Sequence, residues 1–174
     1  MIGKIRSVYY HKGNYRFVIC FNEDHILEHS RLKQFLKNKI AEQEIKGTNP
    51  TFVFLQETNL PSIQIQEISK KLWKGSEGID IDPRGYVGGL GILWDPNIVK
   101  LEGFHGNKCF ISAEFKVISF SIEGVVTNVY GPHNAGEKKS FINSLEKIHE
   151  ERKGRHWVWS LIKGLSSSPI FTMD

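Results

Sequence analysis

One short apolar run places the strongest constraint on the fold of this chain. The run TFVFLQ, residues 51–56, follows Pro50 and is apolar at four consecutive positions, so both faces of a strand here would be apolar. Such strands are typical of sheets that are covered by helices. The run therefore predicts a buried strand of an α/β structure. It ends on Gln56 and Glu57, an amide and a carboxylate at the tip of that strand.

The residues before this run predict a strand and then a helix. Together with the run itself they form a parallel strand-helix-strand unit. The segment YRFVICF, from Tyr15 to Phe21, is rich in β-branched and aromatic residues, and turn-forming residues follow it from Asn22. Ser30 is suited to cap a helix that ends at Gly47. The apolar face of this predicted helix carries four residues at helical spacing, which are Leu32, Phe35, Leu36 and Ile40.

The residues after the run predict one more helix, a set of short antiparallel strands and a third helix. Ser62 to Trp73 has apolar residues at spacings of three and four, and the glycine-rich turn GYVGGLG then leads into the strand-like ILW. Between Leu90 and Tyr130 the period changes to two, with one mostly polar face on residues 109–116 and turns at 95–97 and 123–124. Phe141, Leu145 and Ile148 mark the third helix, which Gly154 ends.

Length and composition indicate one soluble domain. The chain has 174 residues, of which 40% are hydrophobic and 24% charged. Its net charge of +4 arises in residues 1–50, where nine Lys and Arg stand against five Asp and Glu, and this surplus is compatible with a polyanionic partner or with solvated helix faces. Cys20 and Cys109 lie in apolar segments without metal-ligand spacing, which predicts free thiols in a reducing compartment. No signal-length or membrane-length apolar run is present, so we expect an intracellular protein.

Oxygen-bearing side chains follow two of the predicted buried strands. Glu57 comes after the TFVFLQ strand, and Asn22 and Asp24 come after the YRFVICF strand. If these strands are parallel neighbours, both sets of side chains open on one edge of the sheet. Carboxylate and amide oxygens suit a hard cation such as Mg²⁺, which keeps several waters for a phosphate substrate. The alternative is that these residues are ordinary strand-end caps and turn residues.

Four segments in order carry a family resemblance. The segments FVICFNED, FVFLQETNL, GGLGILWDP and VVTNVYGPHNAGEKKSF resemble the endonuclease/exonuclease/phosphatase superfamily, which has the DNase I-like fold. They are most similar to the apurinic-type endonuclease domain of LINE-type (non-LTR) retroelements, over about residues 15–150. The resemblance implies a partial four-layer sandwich of mixed β-sheets flanked by helices. It also implies Mg²⁺ as cofactor, with Mn²⁺ as an alternative, and DNA as partner, with RNA as an alternative.

The resemblance also implies site residues. Glu57 occupies the position of the family glutamate that binds the divalent metal. Asn22 corresponds to the family asparagine that helps arrange metal and acid, and Asp24 fits the Asn-x-Asp form of the apurinic enzymes. Tyr130 matches the tyrosine whose hydroxyl faces the scissile phosphate. His133 stands where the family commonly has Asn, and it is either a phosphate donor or an exposed loop histidine.

The chain departs from the family after its third helix. The family's Gly-Asp-x-Asn, which orients the attacking water, is expected near residues 154–159, but the sequence there continues as SLIKGLSSSP. The closing Ser-Asp-His is absent as well, so the resemblance implies a domain whose second half is truncated. The predicted organisation is a basic N-terminal extension over residues 1–14, an incomplete domain over 15–157 and a divergent tail over 158–174.

Two functions of different class follow. The first is a divergent metal-dependent endonuclease domain of retroelement origin, weak or inactive in Mg²⁺-dependent hydrolysis of DNA, for which a nuclear location is an option. The second is a non-catalytic remnant that binds nucleic acid or protein. Whether the chain is an enzyme stays open, because catalytic residues act as a unit and two motifs of that unit are absent.

Other motifs favour rival functions less well. HILEH, residues 25–29, has the H-x-x-E-H spacing of a zinc protease, but it precedes the predicted helix cap at Ser30. The GYVGGLG segment precedes a predicted strand, whereas a dinucleotide-binding loop needs a helix after it. Trp73 and Trp94 stand at positions predicted to face the core, so packing is a better interpretation for them than base stacking.

Overall fold

Two mixed five-stranded sheets form the framework of the protein. The structure is a computed structural model, and it describes residues 5–12, 15–22, 45–47, 49–56, 58, 60–83, 88–120, 122–132, 135–153, 155–161 and 170–173. For residues 5–12, 15–22, 135, 156, 158–161 and 170–173 only the backbone is described.

The first sheet has the strand order β1-β2-β3-β5-β4. Its strands are β1 (Ile5–Lys12), β2 (Tyr15–Asn22), β3 (Phe52–Gln56), β4 (Glu77–Ile81) and β5 (Leu90–Trp94). Strands β2 and β3 are parallel, while the other neighbours are antiparallel. The predicted strand at Tyr15–Phe21 and the predicted central strand at residues 51–56 are confirmed, and every residue of β3 is buried.

The second sheet has the strand order β10-β9-β8-β7-β6. Its strands are β6 (Val99–Asn107), β7 (Phe110–Val117), β8 (Glu123–Val129), β9 (His156–Leu161) and β10 (Ile170–Met173). Strands β8 and β9 are parallel, and the other pairs are antiparallel. The predicted set of short antiparallel strands between Leu90 and Tyr130 is confirmed.

The two sheets face each other, and a helix covers the outer face of each. Between the sheets, Phe52, Phe54 and Ile92 pack against Ile111 and Phe115. Helix α1 (Ser62–Leu72) packs its apolar residues on the outer face of the first sheet. Helix α2 (Ala135–Glu151) packs in the same way on the second sheet. This order of helix, sheet, sheet and helix confirms the predicted four-layer sandwich of mixed sheets and flanking helices.

The edges of both sheets extend beyond the predicted domain limits. Residues 1–14 were predicted as a basic extension, yet Ile5–Lys12 pairs with β2 as an edge strand. Residues 158–174 were predicted as a divergent tail, yet β9 runs to Leu161 and Ile170–Met173 pairs with it. Edge strands carry charged side chains and short sequences more readily than central strands do, so composition conceals them. Strand β4 is also an edge strand with charged side chains, and the sequence pattern did not predict it.

Two further details of the second sheet differ from the sequence prediction. The turn predicted at Glu123 and Gly124 is wrong, because both residues begin β8 and pair with Lys116 and Phe115. The face of β7 that was predicted to be polar is covered by α2 and Trp157, and Ser112 on that face is only 1% exposed. Burial of the polar Ser112 side chain is tolerated because its hydroxyl forms a hydrogen bond of 3.0 Å with the Thr127 hydroxyl.

An ion cluster ties the end of α2 to the second sheet. Arg152 donates from Nη2 and Nε to Glu114 Oε1 over 2.7 and 3.0 Å, and Arg155 donates to Glu114 Oε2. Partial burial raises the pKa of Glu114, but the hydrogen bonds and charges of the two arginines outweigh it, so its pKa lies below 4.5. The folded protein therefore favours ionised Glu114 more strongly than the unfolded chain does.

Replacing Glu114 with Gln is expected to lower the free energy of unfolding by about 1 kcal/mol at pH 7. Because the folded-state pKa is the lower one, the unfolded chain binds more protons near pH 4 and the contribution of Glu114 disappears as the pH falls through that pKa. Urea denaturation at pH 7 and at pH 3 measures both effects. Glu123→Gln is the control, since the pair of Glu123 with Lys116 is about half exposed on each side. An equal loss in both variants, or a loss that persists at pH 3, contradicts this account.

Candidate functional site

The carboxyl ends of β2 and β3 meet at one edge of the first sheet. The strands are parallel, with Cys20 level with Leu55. Asn22, the last residue of β2, is two residues beyond Cys20, and Gln56, the last residue of β3, is one residue beyond Leu55. Glu57 directly follows Gln56 in the chain, but Glu57 and Asp24 lie outside the described residues. The condition set by the sequence, that the two strands are parallel neighbours, is thus confirmed.

The end of β3 is joined to the end of β8 in the opposite sheet by a pair of buried amides. Gln56 Nε2 donates to Asn128 Oδ1 over 2.5 Å and to the Val129 carbonyl over 3.1 Å. Asn128 Nδ2 donates to the carbonyls of Leu55 and Gly91, each over 2.9 Å. Both amides have 0% exposure. We call this pair of side chains the amide bridge.

Tyr130 directly follows β8 at the same end of the sandwich. It is half-buried and packs against the core between the sheets. Its backbone N–H donates to the Cys109 carbonyl over 2.8 Å, and the N–H of Gly131 donates to the same carbonyl. Gly131 has φ +77°, a conformation that favours glycine, so the chain turns directly after Tyr130. His133 lies outside the described residues.

Two glycines with positive φ border this end of the sandwich. Gly88 and Gly89 have φ values of +97° and +90°, and the Gly89 carbonyl accepts a hydrogen bond of 3.2 Å from the Thr58 N–H. Strand β5 begins at Leu90, so the glycines lead into a strand. Residues 85–87 of the predicted tight turn lie outside the described residues, so the turn stays a prediction. A dinucleotide-binding loop, which needs a helix at this point, is excluded by the strand.

The fourth strand to end here is β9, which is parallel to β8. Leu161, its last residue, is level with Val129. The next residues in the sequence, 162–169, are IKGLSSSP and lie outside the described residues. They contain one lysine and no Asp or Asn, so the Gly-Asp-x-Asn motif that the resemblance leads one to expect after the third helix is absent from this strand end.

The residues that the sequence predicts for the site carry oxygen donors. Within the described ranges, no group of three or more His, Cys, Asp or Glu is placed to hold a metal ion. By sequence, Asn22 ends β2, Asp24 comes two residues after it, and Glu57 comes directly after β3, so these residues offer amide and carboxylate oxygens. This donor chemistry fits a hard divalent cation that keeps part of its water shell. The rival HILEH motif, residues 25–29, lies outside the described residues.

Cys109 lies beneath this end of the second sheet as a free thiol. It is 8% exposed and packs with Phe110 and Phe141. Burial raises the pKa of the Cys109 thiol, so the thiol stays protonated and packs as a small apolar group. The predicted free, buried state of Cys109 is confirmed, whereas only the backbone of Cys20 is described.

The amide bridge was not predicted, although its two members are visible as amides inside apolar strands. Gln56 ends FVFLQ and Asn128 interrupts VVTNV. An amide within a buried strand needs hydrogen-bond partners, and this was the available signal. Its partner could not be identified, because the pairing depends on how the two sheets face each other.

Comparison with known proteins supports the fold. A scan against protein-family models found no match, and a search of curated proteins found none either. Among solved structures, the fold matches that of endonuclease/exonuclease/phosphatase proteins. One from Bacteroides vulgatus has a TM-score of 0.68 and 17% identity, over 90% of this chain and 68% of that one. Another from Bacteroides thetaiotaomicron has a TM-score of 0.63 and 13% identity, over 91% and 64%.

A DNA-bound structure has the same fold. TDP2 of D. rerio, solved with a single-strand DNA product, has a TM-score of 0.61 and 17% identity, over 87% of this chain and 61% of that one. The chain thus spans less than two thirds of the length of several neighbours. At these identities the likeness establishes the DNase I-like fold. No helix in the described part of the chain combines the length and apolarity needed to cross a bilayer.

Proposed function

We propose that this chain is a divergent, metal-dependent phosphodiesterase domain of the endonuclease type with weak activity on DNA. The observation that carries the proposal is the meeting of three strand ends at one end of the sandwich. These are the ends of β2 at Asn22, of β3 before Glu57 and of β8 before Tyr130. The segments that carry the family resemblance are far apart in sequence, and the fold joins them.

In the proposed site, Glu57 binds Mg²⁺ or Mn²⁺, and Asn22 and Asp24 help to arrange the metal and its neighbours. When bound, the cation supplies charge that polarises the phosphodiester and stabilises the leaving oxygen. Tyr130 directs its hydroxyl to the phosphate, and His133 donates a hydrogen bond to it. The oxygen donors and the adjacent tyrosine support these roles, which belong to phosphoryl chemistry on a charged backbone.

DNA is the proposed substrate. The DNA product bound to the TDP2 structure shows that a protein of this fold accommodates single-stranded DNA. The surplus of four positive charges in residues 1–50, a segment that includes β1 and β2, would favour a polyanion. RNA is the alternative substrate, and parallel assays on both polymers separate the two. If DNA is the substrate, we propose the nucleus as the location of the protein.

A second candidate is a non-catalytic nucleic-acid or protein binding module. The end of β9 favours it, because that end meets the same edge of the second sheet and is followed by Ile162 and Lys163 in place of a water-orienting Asp and Asn. Without these groups, hydrolysis has no protein side chain to orient the attacking water, and the rate falls steeply. Metal binding at Glu57 without turnover is the signature of this candidate.

Nicking of supercoiled plasmid in Mg²⁺ by the purified chain tests the proposal. We expect slow nicking that is lost on addition of EDTA and in Glu57→Ala, and that persists in Glu67→Ala. Glu67 is a matched control, because it is an exposed glutamate on α1, a helix on the outer face of the first sheet. A folded chain that leaves the plasmid intact contradicts the catalytic proposal and supports the binding module.

Retroelement origin is a separate part of the proposal. It is supported by the similarity of FVFLQETNL and VVTNVYGP to the endonuclease domains of LINE-type elements. Sequencing the surrounding genomic DNA tests it. A reverse transcriptase frame or its remains near the coding sequence is expected, and an intact neighbourhood without any element-derived sequence contradicts the origin.

A further inference from the structure

The amide bridge connects the two sheets at the point where the proposed site lies. Gln56 immediately precedes Glu57, and Asn128 precedes Tyr130 by two residues. Gln56 donates across the sandwich to Asn128 and to the Val129 carbonyl, while Asn128 donates back to Leu55 and Gly91. Each strand end is therefore held directly by a side chain from the opposite sheet.

The bridge is more specific than an apolar contact would be. Apolar side chains between sheets tolerate small shifts, since dispersion contacts are non-directional. Hydrogen bonds of 2.5–3.1 Å from fully buried amide nitrogens require one separation and one register, because a displaced amide would leave its buried N–H donors without acceptors. The bridge thereby fixes the distance between the end of β3 and the end of β8.

We infer that Gln56 and Asn128 are positioning residues that set the separation of Glu57 and Tyr130, so that a divalent cation and a phosphate fit between them. This inference rests on the proposed function. It assigns a role to two residues that neither bind the metal nor touch the substrate. Residues that orient metal ligands without binding the metal typically change metal affinity by about 10 to 100-fold when they are replaced.

A buried hydrogen-bonded cluster on the other face of the same strand offers a matched control. Thr127 precedes Asn128 and is also 0% exposed. Its hydroxyl oxygen accepts a 2.8 Å hydrogen bond from Trp157 Nε1 and lies 3.0 Å from the Ser112 hydroxyl. This cluster stabilises the second sheet against the α2 side and points away from the amide bridge. Its loss should affect stability alone.

The test compares three near-isosteric variants of the full chain, which are Gln56→Met, Asn128→Leu and Thr127→Val. Mn²⁺ affinity is measured by the electron paramagnetic resonance signal of free Mn²⁺, and Tm is measured by circular dichroism. We expect all three variants to lower Tm. The dissociation constant for Mn²⁺ should rise about 10-fold or more in Gln56→Met and Asn128→Leu, and less than about 2-fold in Thr127→Val.

The other possible results would contradict either the positioning role alone or the proposed function as well. If the wild-type chain binds Mn²⁺ and all three variants bind it equally well at temperatures where they are folded, the positioning role is wrong while the proposed metal site stands. The same holds if affinity falls in Thr127→Val as much as in Asn128→Leu, because the effect then follows stability. If the folded wild-type chain binds no Mn²⁺, the proposed function and the positioning role are both wrong.

Discussion

Replacing Glu57 with Gln is expected to weaken divalent-cation binding by at least about 100-fold, or roughly 3 kcal/mol. The substitution keeps the size and shape of the side chain and removes the one charge that the proposed site places next to the buried end of β3. Affinity for Mg²⁺ and Mn²⁺ depends on the number of charged oxygen ligands. Isothermal titration with Mn²⁺ at low ionic strength measures the effect directly.

Glu67→Gln is the matched control for this prediction. Glu67 lies on the exposed face of α1, so its replacement changes net charge by the same amount without touching the strand ends. We expect Mn²⁺ affinity to be unchanged in this variant. Equal weakening in both variants would show that the cation responds to overall charge, and unchanged affinity in Glu57→Gln would remove Glu57 from the site.

Replacing Phe115 with Ala is expected to lower the free energy of unfolding by about 3–5 kcal/mol. Phe115 is 2% exposed between the two sheets, and its ring meets that of Phe52 edge to face with centroids 5.1 Å apart. Truncation removes both the buried area and this ring contact, and it leaves a cavity between closely packed layers. Thermal denaturation should show a fall in Tm of about 10 °C.

Phe104→Ala is the control for this prediction. It separates the loss of core packing from the loss of an aromatic ring at an exposed position. Phe104 lies on β6, which pairs with β7, the strand that contains Phe115. The side chain of Phe104, however, is 57% exposed. Its replacement is expected to change stability by less than about 0.5 kcal/mol. Equal destabilisation by the two substitutions would contradict the assignment of the core to the space between the sheets.

Hydrophobic periodicity was sufficient to predict the central elements. Strand β3 is apolar at every position from Phe52 to Leu55, and only a strand covered on both faces accommodates that pattern. Helix α1 repeats apolar residues at Ile65, Ile68 and Leu72, and it buries all three together with Ser69. In both cases local sequence and final environment agree, so the pattern alone determines the element.

The edges of the sheets could not be predicted in the same way. Strand β4 combines Glu77, Gly78 and Asp80 with two isoleucines, and β1 carries basic residues near both of its ends, so both segments resemble loops. They become strands because a neighbouring strand offers them backbone hydrogen bonds. That partner is separated in sequence, so short-range patterns contain no information about it.

The sequence predicted candidate residues for the site, but it could not predict how the strand ends come together. The sequence predicted Glu57, Asn22 and Tyr130 as residues that follow strands. It could not show that the ends of β3 and β8 meet, since this follows from sheet packing and from the amide bridge of Gln56 and Asn128. The roles of all five predicted site residues remain predictions. Glu57, Asp24 and His133 lie outside the described part of the chain, and only the backbone of Asn22 is described.

Paramagnetic broadening by Mn²⁺ in the amide NMR spectrum tests the central claim most directly. A cation at Glu57 predicts strong loss of the signals of Thr58 and Tyr130, at the joined strand ends. The signals of Gly124 and Phe52 should persist, since Gly124 lies six residues, or about 20 Å, from Tyr130 along β8, and Phe52 is at the far end of β3. Preferential loss at Gly124 and Phe52, or no localised loss in a folded sample, would contradict a metal site at the meeting point of these strands.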